Sequence, residues 1–449
     1  MTIPVITVGQ TSAGFVGRLE RLHGPVTVVR RCTELSEVVA ACQTGIARAA
    51  IIADVAGELN SSLVERMNVA EVAVVALTAD ESERTRLEAI GASCAPIEVS
   101  AEELADIVAS AVAALARSGP RPDSGISTGY ADPGASLSPA NSLEEEEVSP
   151  EGVPGEVMAV WGPAGAPGRT TVALNLAAES AAEGKSTILI DADTYGASVA
   201  TSLGLLDESA GLAQACRLAD QGFLNPSELD RISSQVVIGG GRLRVLTGIT
   251  RADRWPELRS SALAEVLELC RRSADYTIVD CGFCLEADEE LSFDTQAPRR
   301  NGATLRSLEL ADVVFAVGAA DAVGVPRLIR ALTELEGAVP SVSPRVILNK
   351  VRPSAIGRSP RRQLREAWDR YGPGLDIGAY LPSDSAATDA ALMAGSSLLE
   401  SAPGSSLRTA IAALIGTGNE RRRRSAKGAP PATMKFSERG VRLLARGPR

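Results

Sequence analysis

At 449 residues the chain has the length of two to three ordinary domains, and 45% hydrophobic against 22% charged residues gives it the material for buried cores. A single histidine, His23, all but removes Ser-His-Asp, Cys-His and multi-histidine metal chemistry, and seven cysteines scattered from Cys32 to Cys284 do not read as a disulfide framework. No apolar run approaches the ~20 residues of a membrane helix and no basic-then-apolar leader opens the chain, so a cytoplasmic protein is expected. The net charge of −11 is uneven: residues 421–449 carry ten basic side chains against Glu438 alone, a net +9 that leaves −20 for the rest.

Residues 1–116 alternate strand-like runs with amphipathic segments. Pro4–Val8, Val26–Val29, Ala49–Ala53, Val72–Leu77 and a weak Cys94–Ile97 read as parallel strands, with helices over Leu35–Ala47, Glu81–Ile90 and Glu102–Leu115. Five such units predict a small doubly wound, flavodoxin-like α/β domain. Their order and length resemble the receiver domain of response regulators, which puts Asp54 at the phosphoacceptor position and Thr78 at its small hydroxyl residue. Gly9 and Gln10 stand where that family has an acidic metal-binding pair, and Ala95 replaces its lysine. Without the acidic pair Mg²⁺ has little to hold it, so a degenerate, docking module is expected.

Residues 117–153 lack large apolar residues and carry Pro, Gly, Ser and the run Glu144–Glu147, the composition of a flexible linker. Residues 154–416 then read as a parallel-sheet domain built round Gly162-Pro163-Ala164-Gly165-Ala166-Pro167-Gly168-Arg169-Thr170-Thr171. The strand-like Val157–Trp161 leads in and the helical Val172–Ala178 leads out, the strand, glycine loop, helix order of a phosphate-binding loop. Small residues let backbone N–H groups close round phosphate oxygens, and the helix N-terminus adds its positive dipole end. Further apolar runs end in Asp191-Ala192-Asp193, in Asp280, in Asn349-Lys350 and in Pro382. Carboxylates at the C-terminal ends of parallel strands face the crevice where ligands bind, and there Asp191, Asp193 and Asp280 can hold a Mg²⁺-bound water or orient an attacking one.

Residues 155 to about 415 resemble the MinD/ParA family of P-loop ATPases. The likeness runs through Arg169-Thr170-Thr171 with Ala173–Ala177, Ile190–Asp193, the strand Tyr276–Asp280, and Leu381-Pro382-Ser383-Asp384 with Ala390–Gly395. A receiver-like module ahead of such an ATPase is similar to the CpaE/TadZ pilus-localisation proteins and to actinobacterial septum site-determining proteins. The resemblance implies ATP and Mg²⁺ as ligands: Gly165, Gly168, Arg169, Thr170 and Thr171 round the phosphates, Thr170, Asp191 and Asp280 round the metal, and Arg169 with Asp193 in any hydrolytic step. Asn349 would read the adenine edge and Pro382 would flank the base. The loop departs from the family pattern. It is one residue longer than GxxxxG, Pro163 or Ala164 stands at the first lysine's place and Arg169 at the second's, which shifts the expectation from turnover towards binding.

Cys281-Gly282-Phe283-Cys284 has C-x-x-C spacing but no second pair to complete a four-sulfur site, and two packed thiols are the simpler reading. Arg254-Trp255-Pro256 reads as packing. Residues 286–300 read as a polar surface loop placed to move with nucleotide state, and 417–449 as a basic, disordered tail open to a weak membrane-surface or nucleic-acid contact. The function these features predict is an ATP-binding spatial regulator that places a septum or pilus assembly machine. Its partners would be ATP/ADP, proteins of that machinery and a second copy in a homodimer, with a location in the cytoplasm or peripherally at the inner membrane. A DNA-binding partitioning ATPase and a nucleotide-free scaffold are the alternatives.

Overall fold

A computed structural model describes residues 2–9, 17–19, 24–118, 154–205, 210–286 and 299–425, with side chains as far as Ile415 in the last stretch. Gln10, His23, the expected linker from 119 on with its Glu run, most of the 286–300 loop and the basic tail beyond Ser425 lie outside the described residues. Among the described residues no helix is long and apolar enough to cross a membrane.

In the first domain β1 (Ile3–Val8), β2 (Val26–Cys32), β3 (Ala49–Ile52), β4 (Ala73–Leu77) and β5 (Ser93–Ala95) form one parallel sheet in the order β2-β1-β3-β4-β5. This is the flavodoxin-like winding. β3 and β4 are buried at every residue, which is why they read as unbroken apolar runs. Helices Leu35–Cys42, Ser61–Val69 and Glu81–Ala89 cover one face and Ala101–Ser118 the other. Ser61–Val69 had not been anticipated; Asn60 starts it by accepting the Leu63 N–H at 2.9 Å.

The second domain holds β6 (Glu156–Trp161), β7 (Thr187–Ala192), β8 (Ser234–Ile238), β9 (Gly241–Leu246), β10 (Tyr276–Cys281), β11 (Val313–Ala319), β12 (Arg345–Val351) and β13 (Ile377–Pro382). They lie in the order β13-β12-β11-β6-β10-β7-β9-β8, parallel except for β8 against β9. Gly239 and Gly240, both at positive φ, make the two-residue turn between that antiparallel pair. Two apolar layers, one on each face, enclose the sheet, so β6, β7 and β10 are buried along their whole length.

The helix Arg169–Ala182 is buried without a break from Val172 to Ala181, because another helix covers its outer side. That cover is the helix Ser406–Ser425, held by a two-pronged Arg408–Glu179 ion pair at 2.6 and 3.0 Å. The covering helix runs past the expected domain boundary at 416 as far as Ser425, anchored by Leu407, Ile411, Leu414 and Ile415. The first domain's last helix, expected over Glu102–Leu115, runs from Ala101 to Ser118, past the expected domain boundary at 116.

The two domains touch directly. Asp220 Oδ1, at the end of the helix Gly211–Asp220, accepts from Ser61 Oγ at 3.0 Å, Ser62 N at 3.1 Å and Ser62 Oγ. Arg86, buried on the first domain, donates to Ala56 O and Leu59 O of its own domain and to Gln221 O of the second, and its guanidinium lies 5.6 Å from the Phe223 ring centre. Between them Gly222 (φ +76°) presses so closely that a Cβ would stand 2.7 Å from Ile90 Cγ2.

Candidate functional site

β6 carries the chain to the C-terminal edge of the sheet, between β11 and β10, and the glycine loop begins there. Gly162 abuts the Val317 carbonyl of β11 with no room for a side chain, while Gly165 (φ +105°) and Gly168 (φ +98°) adopt backbone that L side chains rarely take. Gly168 caps the helix that starts at Arg169, so its open N-terminus faces the loop.

Side chains hold most of the loop's carbonyls. Arg169 Nη1 donates to Gly162 O at 3.1 Å and Pro163 O at 3.3 Å, Arg327 Nη1 to Ala164 O at 3.0 Å, Lys350 Nζ to Ala166 O at 2.7 Å, and Asn349 Nδ2 to Pro167 O at 2.8 Å. In a planar trans peptide the following N–H points away from the carbonyl. The N–H groups of Ala164, Gly165 and Gly168 are therefore turned away from these braces, while Pro163 and Pro167 have none to offer. Backbone donors left free in this way at the N-terminus of a helix are the kind of group that holds anions.

Opposite the loop stand the three acids. Asp191 and Asp280 are register partners on β7 and β10 and each is 1% exposed. Asp191 Oδ2 accepts from Ser198 N at 2.8 Å and Val199 N at 2.9 Å, and Gly248 closes in so tightly that a Cβ would lie 2.9 Å from Asp191 Cγ. Asp280 Oδ2 accepts from Thr170 Oγ1 at 2.6 Å, whereas its Oδ1 is buried without a partner. Burial first, and then the neighbouring acids, push both carboxyls up, Asp191 to about 6 and Asp280 well above the usual carboxylate range. Asp193 Oδ2 takes Arg169 Nη2 at 3.0 Å, and its Oδ1 accepts the N–H groups of Tyr195 and Gly196. Arg169 Nε is buried and unpartnered.

All of the expected phosphate and metal residues thus meet at one edge, Gly165, Gly168, Arg169, Thr170, Asp191, Asp193 and Asp280, with Thr171 in the first turn of the helix. Asn349, expected at a base, has both amide atoms engaged within the chain, Nδ2 on the loop and Oδ1 on Lys350 N, so in this state it is a loop brace. Pro382 ends β13 beside β12, with Ser383 N on Val351 O. The sequence had not pointed to Arg327, Lys350, Ser198 or Gly248. It had not pointed either to the stack in which Tyr195 lies 4.7 Å from Phe283 and 3.9 Å beneath the Arg300 guanidinium. These are contacts between distant segments with no local pattern. Cys281 is buried, its thiol pushed up by burial, and Cys284 sits beside Tyr195, whose hydroxyl is pushed up to about 12. Arg254 pairs with Glu257 while Trp255 packs on the core, as expected of that segment.

Among the described residues no three or more His, Cys, Asp or Glu side chains form a metal cage. Thr170 and Asp280 do fit a cation that binds through one or two protein oxygens together with phosphates and water. The unpartnered Asp280 Oδ1 fits it too.

No protein-family model matches the chain and no curated protein does. Among solved structures it is similar to the cell division ATPase MinD of Pyrococcus furiosus, at 17% identity over 60% of this chain and 99% of that one, with a TM-score of 0.45. It is also similar to a ParA family ATPase from Chlorobium tepidum, at 19% identity over 58% and 98% with a TM-score of 0.48. A third is the septum site-determining protein MinD from Pyrococcus horikoshii in complex with Mg-ADP, at 17% identity over 61% and 98% with a TM-score of 0.45.

Proposed function

We propose that the chain is an ATP-binding spatial regulator of the MinD/ParA type that places a septum or pilus assembly machine, and that it holds nucleotide more readily than it hydrolyses it. The observation that carries this reading is the state of Arg169. It is the loop's own cation, and both terminal nitrogens are engaged, one on Asp193 and one on loop carbonyls. Asp193, the residue expected to orient water, is therefore tied to the group expected to follow the transferring phosphoryl. The braced loop offers donors to phosphate, and Thr170 with Asp280 and Asp191 would hold Mg²⁺, which when bound neutralises phosphate charge.

The first domain, receiver-like in strand order, would choose the partner. Asp54 has φ +25°, and Gly9 stands where a Cβ would come within 3.1 Å of its Oδ2. No acidic residue precedes it at position 9 or 10. Docking rather than phosphotransfer is the role this supports.

Calorimetric titration of ATP and ADP in Mg²⁺, with Arg169→Ala as control and phosphate release measured in parallel, tests the reading. Binding with slow release of phosphate is expected, together with a tagged protein found at the septum or pole. ATP-dependent, salt-sensitive DNA binding would favour a partitioning ATPase instead. Absence of nucleotide binding would leave a scaffold.

A further inference from the structure

The loop from Gly162 to Gly168 contains no lysine, and Arg169 is committed to Asp193 and to the loop's first two carbonyls. A second guanidinium nevertheless reaches the loop. Arg327 comes from the helix Gly324–Ala338, which follows β11, and donates Nη1 to Ala164 O at 3.0 Å. The guanidinium lies close against the loop, where a Cβ on Gly165 would stand in the space its Nη1 occupies. The helix is rigidly seated: Asp321 Oδ1 accepts the N–H groups of Val323 at 3.0 Å and Gly324 at 2.7 Å, and Gly324 packs on the Ala319 backbone with no room for a side chain. A side chain on such an element is placed more accurately than one on a loop.

Two consequences follow from this contact. With Ala164 O held by Arg327, the N–H of Gly165 in the same peptide plane points to the side opposite that guanidinium. The guanidinium meanwhile adds a positive charge at the loop, beside those of Arg169 and of Lys350 on Ala166 O. A charge beside an anion site discriminates between ligands by their charge.

We infer that Arg327 is a positioning and specificity residue of the phosphate cradle, aiming the Gly165 N–H and favouring a nucleoside triphosphate over a diphosphate. The inference rests on the nucleotide-binding reading given above. It assigns to a residue 158 positions from Arg169, on another element, a further positive charge at the loop beside those of Arg169 and Lys350.

The test is calorimetric titration of ATP and of ADP, each with Mg²⁺, into the full chain and into R327A, R327Q and R327K, with thermal melts of each nucleotide-free variant. R327A should weaken ATP by about tenfold through loss of a positive charge beside the phosphates, and ADP by less. R327Q keeps a donor without the charge and should bind ADP like the parent while losing the preference for ATP. R327K keeps both and should stay within about threefold of the parent. Unchanged ATP affinity in R327A overturns the assignment. So does an equal loss for ATP and ADP in all three variants with a lowered Tm, which would mark a purely structural arginine. If R327A fails to fold, the Gln and Lys variants decide the question by the same comparison. A parent chain that binds neither nucleotide removes the nucleotide site itself and this role with it, a result distinct from a parent that binds and an R327A that binds equally well.

Discussion

Arg169 and Asp193 meet at 3.0 Å with side chains only 12% and 7% exposed, so the first residue of the loop's helix is locked to the end of β7 by a nearly buried ion pair. Breaking such a pair from one side leaves an uncompensated charge in the interior, which costs about 3–5 kcal/mol. Arg169→Met and Asp193→Leu should each destabilise the nucleotide-free protein by roughly that much in urea denaturation, and the double variant by much less than their sum. Additive losses would mean that the pair is not coupled.

The Thr170–Asp280 contact is expected to matter more for ligand than for fold. Thr170→Ala removes two hydrogen bonds, the one donated to Asp280 and the one accepted from Ser198 Oγ at 3.2 Å, and should cost about 1–3 kcal/mol in stability, while the Mg²⁺-dependent part of nucleotide binding should fall by about tenfold or more. Thr170→Ser keeps the hydroxyl and should restore both. Titrations of nucleotide with and without Mg²⁺ read this out directly.

Gly168 and Gly184 form a matched pair of positive-φ glycines. At Gly184 (φ +78°) a Cβ would meet nothing within 4 Å, so Gly184→Ala carries backbone strain alone, on the order of 1 kcal/mol. At Gly168 (φ +98°) the added carbon would lie 2.5 Å from Asn349 Nδ2, the brace on Pro167 O. Gly168→Ala should therefore destabilise further and loosen the loop. Equal Tm values for the two variants would contradict this account of Asn349.

Glu83 gives a pH-dependent readout of the domain contact. The hydrogen bonds from Arg86, at 2.6 and 2.9 Å, hold its carboxyl below the ordinary value of 4.5. A lowered folded pKa means stability that is present above the unfolded value and is lost as pH falls through the folded one. Glu83→Gln should cost on the order of 1 kcal/mol near neutral pH, and the gap to the parent should close on acidification below about pH 4. Denaturation curves at neutral and acidic pH measure that gap.

Much of this site could be read in the sequence because its parts are local. A glycine loop between an apolar run and an alanine-rich helix, and acids at the ends of continuous apolar strands, are patterns of neighbouring residues. Asp191, Asp193, Asp280 and Thr170 accordingly fall together as expected. The braces could not be read in the same way. Arg327, Lys350 and Asn349 reach the loop only because β11 and β12 lie beside β6 in the sheet, an order of strands that no window of sequence states. The β8–β9 hairpin carries a sequence signal, Gly239-Gly240 between two apolar runs, but a short antiparallel pair at the sheet's edge is masked by the parallel-sheet pattern around it. The helix Ser61–Val69 likewise had a legible cap in Asn60, but it buries few apolar residues.

Asp220, with Ser61 and Ser62 upon it, and Arg86, with Gln221 and Phe223 about it, fasten the two domains by a seam of non-covalent contacts. Residues 1–118 and 154–449, produced as separate polypeptides and mixed, are expected to co-purify if that seam alone aligns the two domains, and Asp220→Ala should weaken the association.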